Sequence, residues 1–273
     1  MPSFYFLSTD LNGTLVHSDT AQDMIQMGFP QKPERHEAAR RAFALQADGQ
    51  LSMEETFRIA GEQTRGLPLR SAIAAFNRMH FVDGYAEFID YLKHHQIATG
   101  IVTTGYSVTL YAMRCSHPEN NFTFRCNRLV FASGGNEITE VDLDRSVRLY
   151  FEKPAMQNDD FFKSACATGQ VVLGIREEGD KARVALTMGQ NLGIPPSRTI
   201  HMGDTMGDSL GILAVAKAGG LGIAFNYNHS LEAFLRSEAK REIEAGHIVL
   251  IDPKGPKSDL GNVIPHLETF RRR

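Results

Sequence analysis

The chain has 273 residues, of which 42% are hydrophobic and 22% charged, as is ordinary for a water-soluble globular protein. A formal net charge of −3 offers no broad basic surface to nucleic acid or to an anionic membrane, and the terminal Arg271–Arg273 is shorter than typical basic binding runs. The three cysteines form no CxxC pair, the N-terminus has no signal-peptide pattern, and no stretch approaches the roughly 18 apolar residues of a membrane span. We therefore expect a cytoplasmic protein with no nucleic-acid or membrane partner.

Short apolar runs alternate with amphipathic runs along most of the chain, which predicts a parallel α/β sheet. The predicted strands are Phe4–Ser8, Ile97–Thr103, Leu129–Phe131, Val171–Ile175, Thr199–Met202, Leu221–Phe225 and Ile248–Ile251. The predicted helices between them are Tyr85–His95, Lys181–Asn191 and Ser209–Ala218. From Ser116 to about Gln170 we expect mixed short strands and loops. The predicted fold is a doubly wound, mostly parallel, Rossmann-like α/β sheet.

Residues 17–80 interrupt this alternation with helical patterns alone. The predicted helices here are Pro33–Ala47, Met53–Gln63 and Pro68–Met79. Ser52, three residues before Glu55, matches a capping box at the start of the second one. We predict that residues 17–80 form an α-helical cap domain inserted into a core of residues 1–16 and 81–273, where the cap would cover a site at the strand ends.

Two acidic segments follow apolar runs in distant parts of the chain. Asp10 follows Phe4–Leu7, while Asp204 and Asp208 follow Thr199–Met202. The ends of strands form the rim on which open α/β sheets build their sites. Carboxylates brought together there suit Mg²⁺, and a carboxylate can also attack phosphorus to give an aspartyl phosphate. The pattern therefore favours Mg²⁺-dependent phosphoryl transfer.

The residues from Asp10 to Thr14, Asp-Leu-Asn-Gly-Thr, resemble the first motif of the haloacid dehalogenase (HAD) superfamily, Asp-x-Asp-x-Thr. In that family the first Asp is the nucleophile, and its carboxylate also binds Mg²⁺. Further matches follow in the family's order: Thr103 for the second motif, Lys181 for the third, and Asp204 with Asp208 for the acidic fourth. Lys153, which is followed by proline, is the alternative for the third motif. We prefer Lys181 because it precedes Asp204 by 23 residues with one predicted helix between.

The resemblance implies a role for each matching residue. The implied catalytic positions are Asp10, Asn12, Thr103 and Lys181. The implied Mg²⁺ ligands are Asp10, the backbone carbonyl of Asn12, Asp204 and Asp208. The implied contacts to a small phosphorylated metabolite are Gly13, Thr14, Thr104 and Gly105.

The placement of the helical insert is similar to that in the phosphoserine-phosphatase-like branch of the superfamily. Gln63–Leu69 is similar to part of that branch's cap, and Asn127–Leu129 is similar to the loop after its second motif. The arginine with which the branch binds the serine carboxylate would stand at Ala60, and Arg58 and Arg65 are the nearby alternatives. The resemblance therefore does not imply phosphoserine as the substrate.

Asn12 departs from the family pattern, because the superfamily's phosphatases carry a second Asp there as general acid and base. An amide neither releases nor accepts a proton near neutral pH, and losing general acid–base help typically costs ~10²–10⁴ in rate. Four explanations stay open. They are an introduced Asp→Asn change that traps a ligand, a substrate with a good leaving group such as an acyl phosphate or a phosphonate, a pseudo-enzyme that binds without turnover, and slow deamidation of Asn12-Gly13.

Other functions and assemblies fit parts of the pattern. A non-catalytic protein that binds a phosphorylated metabolite would explain Asn12. A carbon–halogen hydrolase would use Asp10 without Mg²⁺, but the second acidic segment argues against it. The exposed faces of the cap helices would suit a homodimer, although monomers have such faces too. His201, on a predicted buried strand, is interpreted as a core histidine rather than a metal ligand.

Overall fold

The computed structural model describes residues 4–47, 50–117, 122–252 and 259–273. The strands in these ranges are β1 (Tyr5–Thr9), β2 (Ile97–Tyr106), β3 (Phe122–Ser133), β4 (Asn136–Glu137), β5 (Cys166–Val172), β6 (Thr199–Gly203), β7 (Leu221–Phe225) and β8 (Ile248–Ile251). They form one sheet in the order β4-β3-β2-β1-β6-β7-β8, with β5 also paired to β3.

Most of this sheet is parallel. The pairs from β3 through β2, β1, β6 and β7 to β8 are all parallel, whereas β4 and β5 run antiparallel to β3. The first described strand, β1, lies in the middle of the sheet. Strands β2 and β3 lie on one side of it, and β6, β7 and β8 lie on the other. The predicted doubly wound α/β fold is confirmed, with an antiparallel extension at one side.

Helices connect the strands. They are α1 (Thr20–Gly28), α2 (Pro33–Ala47), α3 (Met53–Gln63), α4 (Leu69–Ala74), α5 (Tyr85–His94), α6 (Ser107–Ser116), α7 (Glu140–Glu152), α8 (Asp160–Ser164), α9 (Glu178–Asn191), α10 (Met206–Lys217), α11 (His229–Glu238), α12 (Lys240–Glu244) and α13 (Ile264–Arg271). Single 3₁₀ turns lie at Ala75–Arg78, Pro154–Asn158, Pro196–Arg198 and Leu260–Val263. None of the described helices has both the length and the apolar character needed to cross a membrane.

The segment between β1 and α5 is helical, as predicted. Helices α2 and α3 have the predicted bounds, and the predicted helix Pro68–Met79 is α4 followed by a 3₁₀ turn. Ser52 Oγ accepts the N–H of Glu55 at 3.2 Å, and Glu55 Oε2 accepts the N–H of Ser52 at 3.1 Å. The capping box is therefore present, and it explains why α3 begins at Met53.

The helical insert leaves and rejoins the sheet at one place. Val16 forms an antiparallel bridge with Phe81, and the N–H of His17 donates to the carbonyl of His80 at 2.9 Å. The far end of the insert is docked on β5, where the N–H of Gly66 donates to the carbonyl of Ala167 at 2.8 Å. These contacts agree with an inserted unit, and the cap boundaries at residues 17 and 80 stay a prediction.

The expectation for Ser116 to Gln170 is wrong. This region contains the 12-residue strand β3 and the 13-residue helix α7. Thr139 caps α7 by accepting the N–H of Asp142 at 3.2 Å, and Leu143 is buried on its inner face. Val147, four residues further on, is buried on the same face, so the helical spacing of α7 is present in the sequence.

The predicted strand Val171–Ile175 is displaced. Strand β5 runs from Cys166 to Val172, so the last three residues of the predicted strand lie beyond its end. The partner of β5 is β3, which pairs Leu129 with Val171. Because this pairing joins distant parts of the chain, the local sequence pattern does not predict where β5 begins.

The capping box predicts the effect of one surface substitution. Ser52→Ala removes the side chain that caps α3, so the free energy of unfolding should fall by about 1 kcal/mol in urea denaturation. Ser237→Ala is the matched control, because Ser237 is exposed and its hydroxyl reaches only the adjacent Glu238, at 2.9 Å. Equal losses for the two variants would show that the box contributes nothing.

Candidate active site

Three neighbouring strands end at the candidate site. Thr9 of β1 lies opposite Met202 of β6 on one side and opposite Ile101 of β2 on the other. The N–H of Asp10 donates to the carbonyl of Met202 at 2.9 Å, which continues the pairing one residue beyond β1. Asp10 and Asp204 therefore emerge at the same edge of the sheet, as expected for parallel strands.

The acidic residues predicted from the two motifs form one cluster. One carboxylate oxygen from each of Asp10, Asp204 and Asp208 lies within 4.8 Å of the others. Lys181 Nζ lies 2.8 Å from Asp10 Oδ2 and 2.7 Å from Asp208 Oδ1. Thr14 Oγ1 donates to Asp204 Oδ1 at 2.9 Å. Residues from three separate segments thus meet in one largely buried site.

Negative charge exceeds positive charge in this cluster. Burial raises the pKa of Asp10, and the ammonium of Lys181 opposes that rise. Burial, reinforced by the charges of Asp208 and Asp10, raises the pKa of Asp204 well above its usual range. Burial opposes ionisation of Asp208 too, but Lys181 and the neighbouring His201 hold its pKa below the usual range. Since one ammonium faces three carboxylates, the site attracts a further cation.

The donor set fits a hard divalent cation. Carboxylate oxygens are the ligands that Mg²⁺ takes in proteins, usually together with several waters. Within the residues that the structure describes, Asp10, Asp204 and Asp208 are the one group of three acidic, histidine or cysteine side chains close enough to share an ion. The excess of negative charge at these three carboxylates also favours a bound cation, because the cation would offset that charge.

Gly13 shapes the turn after Asp10. Its φ is +76°, its N–H donates to the carbonyl of Val16 at 2.7 Å, and its carbonyl accepts from Asn226 Nδ2 at 3.1 Å. A Cβ on Gly13 would lie 2.1 Å from Asp204 Oδ2. Glycine is therefore required here both for the backbone conformation and for the close approach of Asp204.

Asn12 joins this turn to the helical insert. Its Oδ1 accepts the N–H of Thr20, the first residue of α1, at 3.3 Å. The side chain is half-buried, as expected for a residue between two elements. The amide therefore has a structural contact that connects the Asp10 turn to the start of the insert.

The residues predicted to contact a phosphoryl group on β2 lie in a break in its ladder. Between Val102 and Tyr106 the pairing with β3 shifts register, so Thr103, Thr104 and Gly105 form an irregular stretch within the strand. Thr103 is buried, and its Oγ1 accepts the N–H of Gly105 at 3.2 Å. The irregularity makes this short segment a bulge near the carboxyl end of β2, at the same edge of the sheet as Asp10.

The alternative residues for the third motif and for substrate binding lie elsewhere. Lys153 is exposed at the end of α7, whereas Lys181 is 2% exposed and contacts the carboxylates. Arg58 and Arg65 are exposed and line a pocket of about 640 Å³ between α3 and β5. Ala60 is fully buried, so that position offers no polar group to a ligand.

The interpretation of His201 as a core histidine is confirmed, because it is 0% exposed and its Nδ1 lies 3.1 Å from Ser8 Oγ. Sequence reasoning missed Asn226, whose amide supports the Gly13 carbonyl. Asn226 directly follows the buried strand β7, and this position at the carboxyl end of a parallel strand is the signal that could have identified it.

The geometry around Gly13 predicts a matched pair of substitutions. Gly13→Ala and Gly66→Ala both place a side chain at positive φ, +76° and +80°, but no atom lies within 4 Å of a Cβ at Gly66. In urea denaturation both variants should lose about 1–2 kcal/mol for the backbone conformation. Gly13→Ala should lose about 1–3 kcal/mol more, because its Cβ displaces Asp204. Similar losses would contradict the close approach.

The structure of this chain is similar to solved structures of other proteins. No family model matches the chain, and no curated protein matches it. A phosphoserine phosphatase in the form of a phospho-aspartyl intermediate analogue matches with a TM-score of 0.67 and 18% identity, over 97% of this chain and 99% of that one. A substrate-bound phosphoserine phosphatase complex matches with a TM-score of 0.67 and 17% identity, over 98% and 100% of the two chains.

A HAD family hydrolase from Salmonella enterica subsp. enterica serovar Typhi also matches. Its TM-score is 0.62 at 15% identity, over 85% of this chain and 66% of that one. Each of the three matches extends over most of this chain. The chain therefore has the fold of these phosphoserine phosphatases and of this HAD family hydrolase.

Proposed function

We propose that the protein is a Mg²⁺-dependent phosphohydrolase that acts on a small phosphorylated metabolite through an aspartyl-phosphate intermediate on Asp10. The observation that carries the proposal is the cluster of Asp10, Asp204 and Asp208 around Lys181 at the carboxyl edge of a parallel sheet. The fold shared with phosphoserine phosphatases supports it, and one of those structures represents a phospho-aspartyl intermediate analogue.

The metal would be held by three side chains and one backbone group. Asp10, Asp204 and Asp208 would supply carboxylate oxygens, and Asn12 would supply its backbone carbonyl, as the family resemblance implies. When bound, Mg²⁺ offsets the charge of the phosphate group.

Asp10 would be the nucleophile. Its Oδ1 accepts the N–H of Leu11 at 2.7 Å and its Oδ2 faces Lys181, so the carboxylate is held in one orientation. In the first step a carboxylate oxygen forms a bond to phosphorus while the bond from phosphorus to the leaving oxygen breaks. Water then attacks the aspartyl phosphate, which releases inorganic phosphate and restores Asp10.

The remaining residues would bind and orient the transferring group. Lys181 would offset negative charge on Asp10 and the phosphate. The Thr103 hydroxyl and the Thr104 N–H would donate to phosphate oxygens, and Gly105 and the turn at Gly13 and Thr14 would lie beside the phosphate, as the family resemblance implies. The helical insert would close over the site to exclude water in the first step and open to admit it in the second.

Asn12 limits what this machinery can do to the leaving group. Its amide cannot protonate an alkoxide or activate water, and its oxygen is already an acceptor for Thr20. This observation favours a second candidate within the same fold. The protein would then act on an activated phosphoryl compound, such as an acyl phosphate or a phosphonate, or would bind a phosphorylated metabolite with little turnover.

The first test measures Mg²⁺ binding through stability. Mg²⁺ at about 100 times its dissociation constant should raise the free energy of unfolding by about 2.7 kcal/mol. Asp204→Asn should lose most of this gain, since it removes one of three carboxylates. Asp90→Asn, at an exposed carboxylate beside Lys93, should keep it. A gain of the same size in all three proteins would place the ion elsewhere.

The second test measures phosphate release from a panel of phosphomonoesters and acyl phosphates with Mg²⁺, for the wild-type chain and Asn12→Asp. We expect Asn12→Asp to hydrolyse alkyl phosphates ~10²–10⁴ times faster than the wild type, because a carboxyl group restores general acid–base help. Acyl phosphates should differ much less between the two proteins. If neither protein releases phosphate from any compound, the proposed activity is wrong.

A further inference from the structure

Asn127 is a buried amide that connects two separate parts of the candidate site. It lies on β3 and is 0% exposed. Its Nδ2 donates to the carbonyl of Thr104 at 3.0 Å. Its Oδ1 accepts the N–H of Gly174 at 2.9 Å and the N–H of Ile175 at 3.0 Å. Three hydrogen bonds from one side chain therefore reach segments on either side of β3.

The backbone groups that Asn127 contacts lie outside regular strand pairing. Thr104 lies where the β2–β3 ladder shifts register. Gly174 and Ile175 follow the end of β5 at Val172, where the pairing with β3 stops. Backbone groups that are buried without a hydrogen-bond partner destabilise a fold. The Asn127 amide therefore supplies hydrogen bonds in place of those that strand pairing would provide at both segments.

The chemistry of the contacts fixes the orientation of the amide. Only the NH₂ group can donate to the Thr104 carbonyl, and only the oxygen can accept two N–H groups. Gly174 allows the close approach, because a Cβ there would lie 2.2 Å from the carbonyl oxygen of Cys126. Asparagine at this position and glycine at 174 therefore form one matched contact.

The two segments carry different parts of the proposed machinery. Thr104 stands between Thr103 and Gly105, which would contact the phosphoryl group. Ile175 leads into α9, whose Lys181 lies 2.8 Å from Asp10 Oδ2. We propose, on the basis of the proposed function, that Asn127 is a positioning residue. Its amide holds the phosphoryl-binding bulge of β2 in place relative to the helix that carries Lys181, without touching the substrate.

Asn127→Asp tests this role, because the side chain keeps its shape and the N–H groups of Gly174 and Ile175 still have a carboxylate oxygen as acceptor. The oxygen that replaces Nδ2 would face the Thr104 carbonyl and repel it, which releases the bulge of β2. By calorimetry with Mg²⁺ present, the dissociation constant of inorganic phosphate should rise ~10-fold or more. The dissociation constant of Mg²⁺ alone should change less than about twofold, since the carboxylate cluster does not contact Asn127.

Asn136→Asp is the matched control, because it makes the same chemical change at an exposed position on β4 of the same sheet. It should change neither constant. If Asn127→Asp folds and binds phosphate like the wild type, the positioning role is wrong. Equal weakening of Mg²⁺ and phosphate would also overturn it, because that result describes general loss of structure. A wild-type chain that binds Mg²⁺ but no phosphate would refute the proposed function itself, and the positioning role with it.

Hydrogen exchange on the wild-type chain tests the same link if Asn127→Asp does not fold. Adding inorganic phosphate to the Mg²⁺-loaded protein should slow exchange of the Gly174 and Ile175 amides by at least about fivefold, because order in the bulge at Thr104 is transmitted through the shared Asn127 amide. Unchanged exchange at both amides, with phosphate bound, would overturn the proposal.

Discussion

The ammonium of Lys181 is the interaction on which the site depends. It lies between the carboxylates of Asp10 and Asp208, each less than 3 Å away, in a place almost without solvent. Without it, two like charges would face each other with little screening, which is a costly arrangement inside a protein. Asp208 is held from its other side as well, because its Oδ2 accepts the N–H groups of Asp204 and Thr205 at 3.3 and 3.4 Å. The start of α10 and the side chain from α9 thus stabilise one shared cluster.

Much of this cluster could be predicted from the sequence, because the signals are local. Asp10 and Asp204 each follow a short apolar run, and parallel strands bring such positions to one edge. The contact of Asn127 with Gly174 and Ile175 could not be predicted in the same way, since it depends on how β3 and β5 pair across a long connection. Helix α7 is different, because Leu143 and Val147 lie one turn apart on its buried face and this local spacing could have identified the helix.

The helical insert is tied to the rest of the molecule more closely than a simple lid would be. At its start, Thr20 donates to the side chain of Asn12, and at its far end Pro68 forms a bridge with Cys166 on β5. The proposed machinery therefore draws on three parts of the chain: the strand ends, the insert, and the antiparallel extension of the sheet. A movement of the insert would therefore first change the turn at Asn12, two residues from the proposed nucleophile.

The turn at Asn12 also affects how readily this asparagine can deamidate. Deamidation of an Asn-Gly pair requires the backbone nitrogen of the glycine to attack the side-chain carbonyl carbon of the asparagine. Here the Gly13 N–H is engaged with the carbonyl of Val16 at 2.7 Å, and the Asn12 oxygen is engaged with Thr20. The fold thus holds both reacting groups in other contacts and protects the amide. We therefore expect Asn12 to deamidate more slowly in the folded protein than in the unfolded chain, so a sample that has been unfolded should contain more aspartate at this position.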